Sequence, residues 1–253
     1  MSNGRKITVI IAIAFFIALI ASIFTLFSVK KVSAEYDVYG DAEETAEIQR
    51  VLDGFKGKNA LFFDTDEIKE SLSGFSYYEV ISVEKQYPNV ISVSLKKRTE
   101  TFSVAFGDKT YVLSEEGIIL NDVGAILPES RVVDVSAQGI TVENAVSGER
   151  IATSDDALFY SALKIAGKAA FSDFVLSVGI VSEVEIKDVV LNTRTGVKIT
   201  VYKADTEGQA KIETALAAFE NASDYVKTYS EIVVYKADTG EIKVDWLNGP
   251  SQQ

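Results

Sequence analysis

Neither cysteine nor histidine occurs anywhere in the 253 residues. Without cysteine there is no disulfide framework, no thiolate nucleophile and no cysteine-ligated metal. Without histidine the commonest general base and the commonest metal ligand are missing as well. A chain so composed relies on its apolar core alone, which suits a protein of the bacterial envelope. Acidic residues are also missing from one place: residues 1–31 hold four of the 25 basic residues and none of the 37 acidic ones, so the remainder carries a net charge of −16. A surface of that sign is repelled by nucleic acid and by anionic lipid, and it keeps a tethered domain soluble.

What is present begins with an almost unbroken apolar run, Ile7 to Phe27, interrupted only by Thr8, Ser22 and Thr25. A hydrocarbon core of ~30 Å needs roughly 20 helical residues, so this run is expected to cross a membrane once. A cleaved secretory signal is the competing reading, because Val32, Ser33 and Ala34 offer a peptidase small residues. Against it, signal cores run about 7 to 15 residues, and Lys30 and Lys31 would precede the cut. Arg5 and Lys6 on one side nearly balance Lys30 and Lys31 on the other, so the positive-inside bias is weak. Length then decides: residues 1–6 are expected as a cytoplasmic tail, 7–28 as the transmembrane helix, and the rest as extracytoplasmic.

Lys30 to Glu35 reads as a short polar connector, followed by a short strand at Tyr36 to Gly40. Ala46, Ile48, Val51, Leu52 and Phe55 recur at helical spacing across residues 42–55, and Gly54 and Gly57 end that helix. A second helix opens at Asp64, which with Glu67 has capping-box spacing, and carries Ile68, Leu72 and Phe75 on one face. Tyr78 to Lys85 and Val90 to Arg98 are β-rich runs around a turn at Gln86 to Asn89. Residues 35–100 therefore read β-α-α-β-β.

With its preceding anchor, this module resembles a POTRA domain, and its wording resembles the FtsQ/DivIB family of bacterial cell-division proteins. The family's valine-x-glycine is matched by Val38 and Gly40. Its glycine-x-asparagine, apolar, aspartate stretch is matched by Gly57, Asn59, Leu61, Phe62 and Asp64, and its valine-x-lysine-x-x-proline by Val83, Lys85 and Pro88. The chain departs from the family at Ser76, Tyr78, Lys97, Arg98 and Glu100. Further on, Tyr111 to Leu120 resembles the family's hairpin, with Ser114 where aspartate is usual, and Leu127-Pro128 its leucine-proline. Next come a helix from Ser154 to Ala170, strands at Val181 to Ile186, Val189 to Asn192 and Val197 to Tyr202, and a helix from Thr206 to Phe219. A last hairpin joins Glu231 to Tyr235 with Glu241 to Trp246. The expected fold class is thus α+β: one transmembrane helix, a POTRA-like domain at 35–100, a β-rich mixed α/β domain of FtsQ/DivIB type at 101–246, and a flexible tail at 247–253. The hexapeptide Val-Tyr-Lys-Ala-Asp-Thr occurs at 201–206 and again at 234–239, as two similar strand ends leaving one sheet would give.

Acidic clusters at Asp64, Asp66 and Glu67, at Glu115 and Glu116, and at Asp155 and Asp156 are the only candidates for catalysis. Paired carboxylates can cleave glycosidic bonds. Each cluster, however, sits where a helix start or turn already favours acids, which makes capping the simpler role. The first lacks the glycine and alternating oxygen ligands of a calcium loop, and no phosphate loop, nucleophile elbow or zinc motif occurs. The expectation is a non-enzyme without cofactor or metal.

Protein binding remains. Glu241, Ile242, Lys243, Val244, Asp245 and Trp246 form a last strand with little chain after it to cover its edge, and such an edge invites another strand. The resemblance implies partners there: in the family the β domain docks two single-pass coiled-coil proteins, FtsL and FtsB/DivIC, and division-specific wall synthases follow indirectly. It also implies a place at the division septum, with the POTRA-like module serving recruitment. Trp246, the only tryptophan, either anchors that contact or closes the sheet's core. A second candidate edge is Tyr36 to Gly40 with Ile91 to Leu95, near Tyr77, Tyr78 and Tyr87, as contact residues or cover for a small sheet. Two alternatives stand beside this divisome scaffold: a POTRA-bearing envelope chaperone, and a membrane-tethered wall hydrolase.

Overall fold

A computed structural model describes residues 3–38, 40–123, 132–170, 175–223, 227 and 231–247, with side chains at 3–9 and 169–170 excepted. The chain divides into two compact units, Met1–Arg98 and Thr99–Gln253.

The first unit opens with the helix α1 (Asn3–Leu26), which from Ile10 onward is apolar on every side but for Ser22 and Thr25. Two of its hydroxyls are paired within the helix: Ser22 and Thr25 donate to the carbonyls of Ala18 and Ala21, each at 2.8 Å. Among the described residues no helix is long and apolar enough to cross a membrane; the described side chains of α1 begin only at Ile10. The helix runs almost directly into strand β1 (Lys31–Tyr36). The junction is clamped on one loop: Ala60 N–H donates to Phe27 O, Val29 N–H to Lys58 O and Gly57 N–H to Val29 O, each at 2.8 Å.

The expected strand at Tyr36 to Gly40 is therefore wrong, and the expected polar connector is the strand itself. Val32, Ala34 and Tyr36 alternate toward the core, with Val32 buried, while Val38 is exposed. Helix α2 (Ala42–Asp53) starts where the Asp41 carboxylate accepts the Glu43 N–H at 3.0 Å, and buries Ile48 and Leu52. In α3 (Asp66–Leu72) the expected capping box is half made: Asp64 accepts the Asp66 N–H at 3.0 Å, but Glu67 pairs with Lys58 instead of turning back. Strands β2 (Tyr78–Gln86) and β3 (Val90–Lys97) form the hairpin, and β1 adds parallel to β3, giving the order β1-β3-β2. The β-α-α-β-β order is as expected, around a core of Ile48, Leu52, Ile68, Ile91, Val93 and Leu95.

The second unit starts with β4 (Phe102–Phe106), β5 (Lys109–Leu113), β6 (Ile119–Val123), β7 (Val133–Gln138) and two short strands, β8 (Val142–Asn144) and β9 (Ala152–Thr153). Then follow α4 (Asp156–Ala170), β10 (Val175–Ser182), β11 (Lys187–Thr193), β12 (Lys198–Val201), α5 (Gly208–Asn221), β13 (Glu231–Lys236) and β14 (Ile242–Leu247). Nine strands make one sheet in the order β14-β13-β12-β11-β10-β7-β4-β5-β6. One face of it buries Phe102, Val104, Val135, Ile180, Leu191, Ile199 and Val234 against Leu158, Phe159 and Leu163 of α4 and Ile212 of α5. The hairpin at 111–120 is present, and Ser114 holds its turn: its Oγ accepts the N–H groups of Glu116 and Ile118 at 3.2 and 3.3 Å.

Three boundaries differ from expectation. The strand expected at Val181 to Ile186 ends at Ser182, because Glu183 N–H bonds to Ile186 O in a turn that leaves Val184 95% exposed. Helix α5 begins at Gly208, after Glu207 in the left-handed region at φ 54°. Leu247 belongs to β14; residues 248–253 of the expected tail and Leu127-Pro128 lie outside the described residues.

Candidate partner-binding edge

The outermost strand of the large sheet is β14, and its hydrogen-bond phase is set by the turn before it. Ala237 N–H donates to Glu241 O and Gly240 N–H to Ala237 O, both at 2.8 Å, so Ala237 and Glu241 face each other as a bonded pair. Antiparallel ladders alternate bonded and non-bonded pairs. In the register Lys236↔Ile242 to Glu231↔Leu247, the backbone groups of Lys243, Asp245 and Leu247 therefore bond to β13. Those of Ile242 and Val244 point away from the sheet. Among the described residues no strand pairs with that outer side.

Of the six residues expected here, Glu241 belongs to the turn and the other five to the strand. Ile242, Val244 and Trp246 turn their side chains to the core, half-buried, and Trp246 stacks on Phe219 of α5 at 6.2 Å between ring centroids and 20° between planes. The indole thus closes the end of the core. Lys243 and Asp245 lie on the opposite face, where the Tyr235 hydroxyl donates to Asp245 at 2.9 Å; that carboxylate pushes the Tyr235 phenol above its usual range. The far edge of the sheet is different. At β6, Ile119 N–H bonds to Glu149 O and Gly148 N–H to Ile119 O, so a loop covers its beginning.

The second expected edge does not stand. Ile91 to Leu95 lies in β3, the central strand of its sheet, with β1 and β2 on either side. Tyr78 is buried, its ring meeting Tyr36 edge-on at 5.7 Å, and Tyr77 packs partly on the same core; only Tyr87 is exposed.

A feature that sequence reasoning missed lies where the parallel strands β12 and β13 end together. A cleft of about 530 Å³ is lined there by Asp188, Tyr202, Lys203, Lys211, Tyr235 and Lys236. Lys211 of α5 is only 2% exposed and donates to the carbonyls of Tyr202 and Lys203 at 2.8 and 2.7 Å. The signal for it was the repeated hexapeptide, whose copies leave the sheet side by side with Val201 paired to Val234.

The acidic clusters serve the fold. Asp156 accepts from the Thr153 N–H and hydroxyl at 2.7 and 2.9 Å, and Asp66 pairs with Lys69 at 2.6 Å. Asp155 accepts from Ser182 at 2.8 Å, from the Leu158 N–H at 3.2 Å and from Lys187. Burial alone would raise its carboxyl, but the Lys187 ammonium, the Ser182 hydroxyl and the Leu158 N–H outweigh it and hold the group below the usual range. The stabilisation is complete above the unfolded value of about 3.9 and is lost as pH falls through the lower folded value. Asp155→Asn should therefore flatten the acid limb of stability measured by denaturant unfolding between pH 5 and pH 2. An unchanged limb would show that the carboxylate contributes nothing. Among the described residues no three acidic side chains converge as a metal site would require.

No family model matches the chain. Over 96 residues, 38% of its length, it is 23% identical to the cell division protein DivIB of Clostridium acetobutylicum, and the match spans 37% of that relative. The major extracytoplasmic domain of DivIB from Geobacillus stearothermophilus, solved as its trans isomer, aligns over 98% of its own length and 50% of this chain, at 14% identity and a TM-score of 0.31. The sequence match and three ordered motifs, carried on a β-α-α-β-β module, make this chain similar to the FtsQ/DivIB family of bacterial cell-division proteins.

Proposed function

We propose that the chain is a membrane-anchored, non-enzymatic scaffold of the division machinery, which captures FtsL-like and FtsB/DivIC-like single-pass proteins by adding a strand of theirs to β14. The observation that carries this reading is the outward direction of the backbone groups of Ile242 and Val244, on an edge with which no strand pairs among the described residues. Strand addition takes its affinity from such main-chain groups and its specificity from the alternating side chains beside them. The half-buried Trp246 supports the strand from behind by its stack on Phe219.

α1 serves as the anchor. Its apolar stretch from Ile7 to Leu26 is 20 residues by sequence, about 30 Å of helix, which matches a hydrocarbon core of ~30 Å. The hydroxyls of Ser22 and Thr25 are internally bonded, as an apolar surrounding demands. Partners with anchors of their own then meet the scaffold within one membrane, where tethering raises their effective concentration.

The full-length protein, co-purified with the FtsL and FtsB/DivIC homologues of its organism, tests the edge. Val244→Pro removes an outward N–H and should reduce capture at least about tenfold, while stability changes by less than ~1.5 kcal/mol. Asp245→Pro removes an N–H bonded to β13 and should cost ~2–3 kcal/mol of stability. Unchanged capture by Val244→Pro, or equal destabilisation by both variants, would exclude the β14 edge as the docking site.

A further inference from the structure

Leu61 and Phe62 break the pattern of the loop that clamps the junction. Ala60 and Phe63 on either side are buried, yet Leu61 is 40% and Phe62 72% exposed, two large apolar groups facing out of an otherwise acidic protein. The loop has no freedom to turn them inward: Phe62 and Phe63 N–H groups both bond to Asn59 O, and the Asn59 side chain accepts the Leu61 N–H at 3.0 Å. Across from them Tyr87, at the tip of the β2–β3 hairpin, is 58% exposed.

Phe62 and Tyr87 stand beside the end of α1, and Leu61 is next to Phe62 in the chain. The Phe62 ring lies 5.8 Å from that of Phe24, and the Tyr87 ring meets Phe27 edge-on at 6.0 Å. Phe24 lies only about 3 Å along the axis from the last helical residue, Leu26, so Phe62 is level with the final turn of the helix. Any layer that surrounds that turn surrounds Phe62 as well. Around the same rim, Lys30 and Lys31 are exposed, and both their N–H groups bond to Asn89 O beside the hairpin tip. Apolar and aromatic groups with lysines at their border match the boundary between acyl chains and headgroups.

We propose that the first unit does not merely hang from its anchor but inserts Leu61, Phe62 and Tyr87 into the outer leaflet, with Lys30 and Lys31 at the phosphate level. This rests on α1 being the anchor. The occupant of the surface is the lipid bilayer itself: the patch is continuous with the helix, and the lysines give the rim a sign opposite to that of the chain as a whole. Two short loops then hold the module against the membrane where a single helix alone would let it tilt.

Because the chain has no cysteine, single-cysteine labelling reports each position cleanly. The full-length protein carries an environment-sensitive fluorophore at Phe62→Cys and, separately, at Leu61→Cys, Ile17→Cys and Val184→Cys, in bilayers of phosphatidylethanolamine and phosphatidylglycerol. Phe62→Cys and Leu61→Cys should show blue-shifted emission, quenching by spin-labelled lipid, and loss of access to aqueous iodide, as Ile17→Cys does; Val184→Cys should behave oppositely. If Ile17→Cys is lipid-quenched while Phe62→Cys and Leu61→Cys remain open to iodide, loop insertion is wrong and the anchor stands. If Ile17→Cys is itself open to iodide, the anchor reading falls, and the insertion with it.

Discussion

Gly139→Ala is expected to destabilise the second unit by roughly 3–5 kcal/mol, a size seen only where a named mechanism operates. Two costs combine at this position. The backbone is left-handed, at φ +75°, which costs a residue with a Cβ ~1–2 kcal/mol. The added carbon would also sit 2.0 Å from the carbonyl oxygen of Ser182, a backbone atom that cannot rotate aside. Relief requires β7 to part from β10, and that parallel pair lies in the middle of the sheet, with α4 packed over it. Gly196→Ala separates the two costs: its φ is +83°, but nothing lies within 4 Å of the new carbon. It should lose only about 1 kcal/mol. Denaturant unfolding of the two variants, followed by a probe in the second unit, measures the difference. Equal losses would mean that β7 and β10 do not approach each other at Ser182 as described.

Lys211→Met should cost ~2–3 kcal/mol at pH 7, although it removes a charge from the interior. Methionine fills the space but donates nothing, leaving the carbonyls of Tyr202 and Lys203 without their ammonium partner at about 1–3 kcal/mol each. The gain from no longer burying an ammonium offsets part of that. The same site has a pH signature. Burial pushes the Lys211 ammonium below its ordinary value, with Asp205 and Glu207 pulling the other way. The unfolded chain therefore holds this proton more tightly, and native stability gains as pH rises from the folded value toward about 10.4. A neutral amine still offers two N–H donors for the two carbonyls. Unfolding at pH 7 and pH 10 should show the gap between wild type and Lys211→Met widening with pH. A variant more stable than wild type at pH 7 would show that the ammonium is a net burden.

Much of the first unit was legible because its signals are local. Ile48, Leu52, Ile68 and Leu72 recur at helical spacing, and each is buried where that spacing puts it. The displaced first strand shows the limit. Val32, Ala34 and Tyr36 alternate as plainly as a strand requires, but the two lysines before them and the serine and glutamate between them look like a linker until β3 is there to pair with. The opposite error, extending a strand to Ile186, came from alternation in a turn whose Val184 has nothing to pack against. Strands β4 and β7 were overlooked: Val133 and Val135 alternate with Asp134 and Ser136, but over too few residues to stand out without their neighbours. The edge was legible as the last strand. Which of its residues turn their backbone outward was not, since that depends on the pairing of Ala237 with Glu241 across the turn. Lys211 was illegible for a similar reason: nothing in a helix sequence tells that two carbonyls from another strand end will meet its ammonium.

The clamp between Phe27–Val29 and Gly57–Ala60 has a mechanical consequence. A helix joined to a domain by a loose linker transmits only position, whereas one joined through three backbone hydrogen bonds of 2.8 Å transmits torque. Each residue of an α-helix turns the axis by about 100°. One residue inserted into α1 would therefore swing the whole first unit through roughly that angle, and a slight roll of the helix against a neighbouring helix would be read out as a sweep of the domain above it. The segment between Leu26 and Lys31 works as a drive shaft.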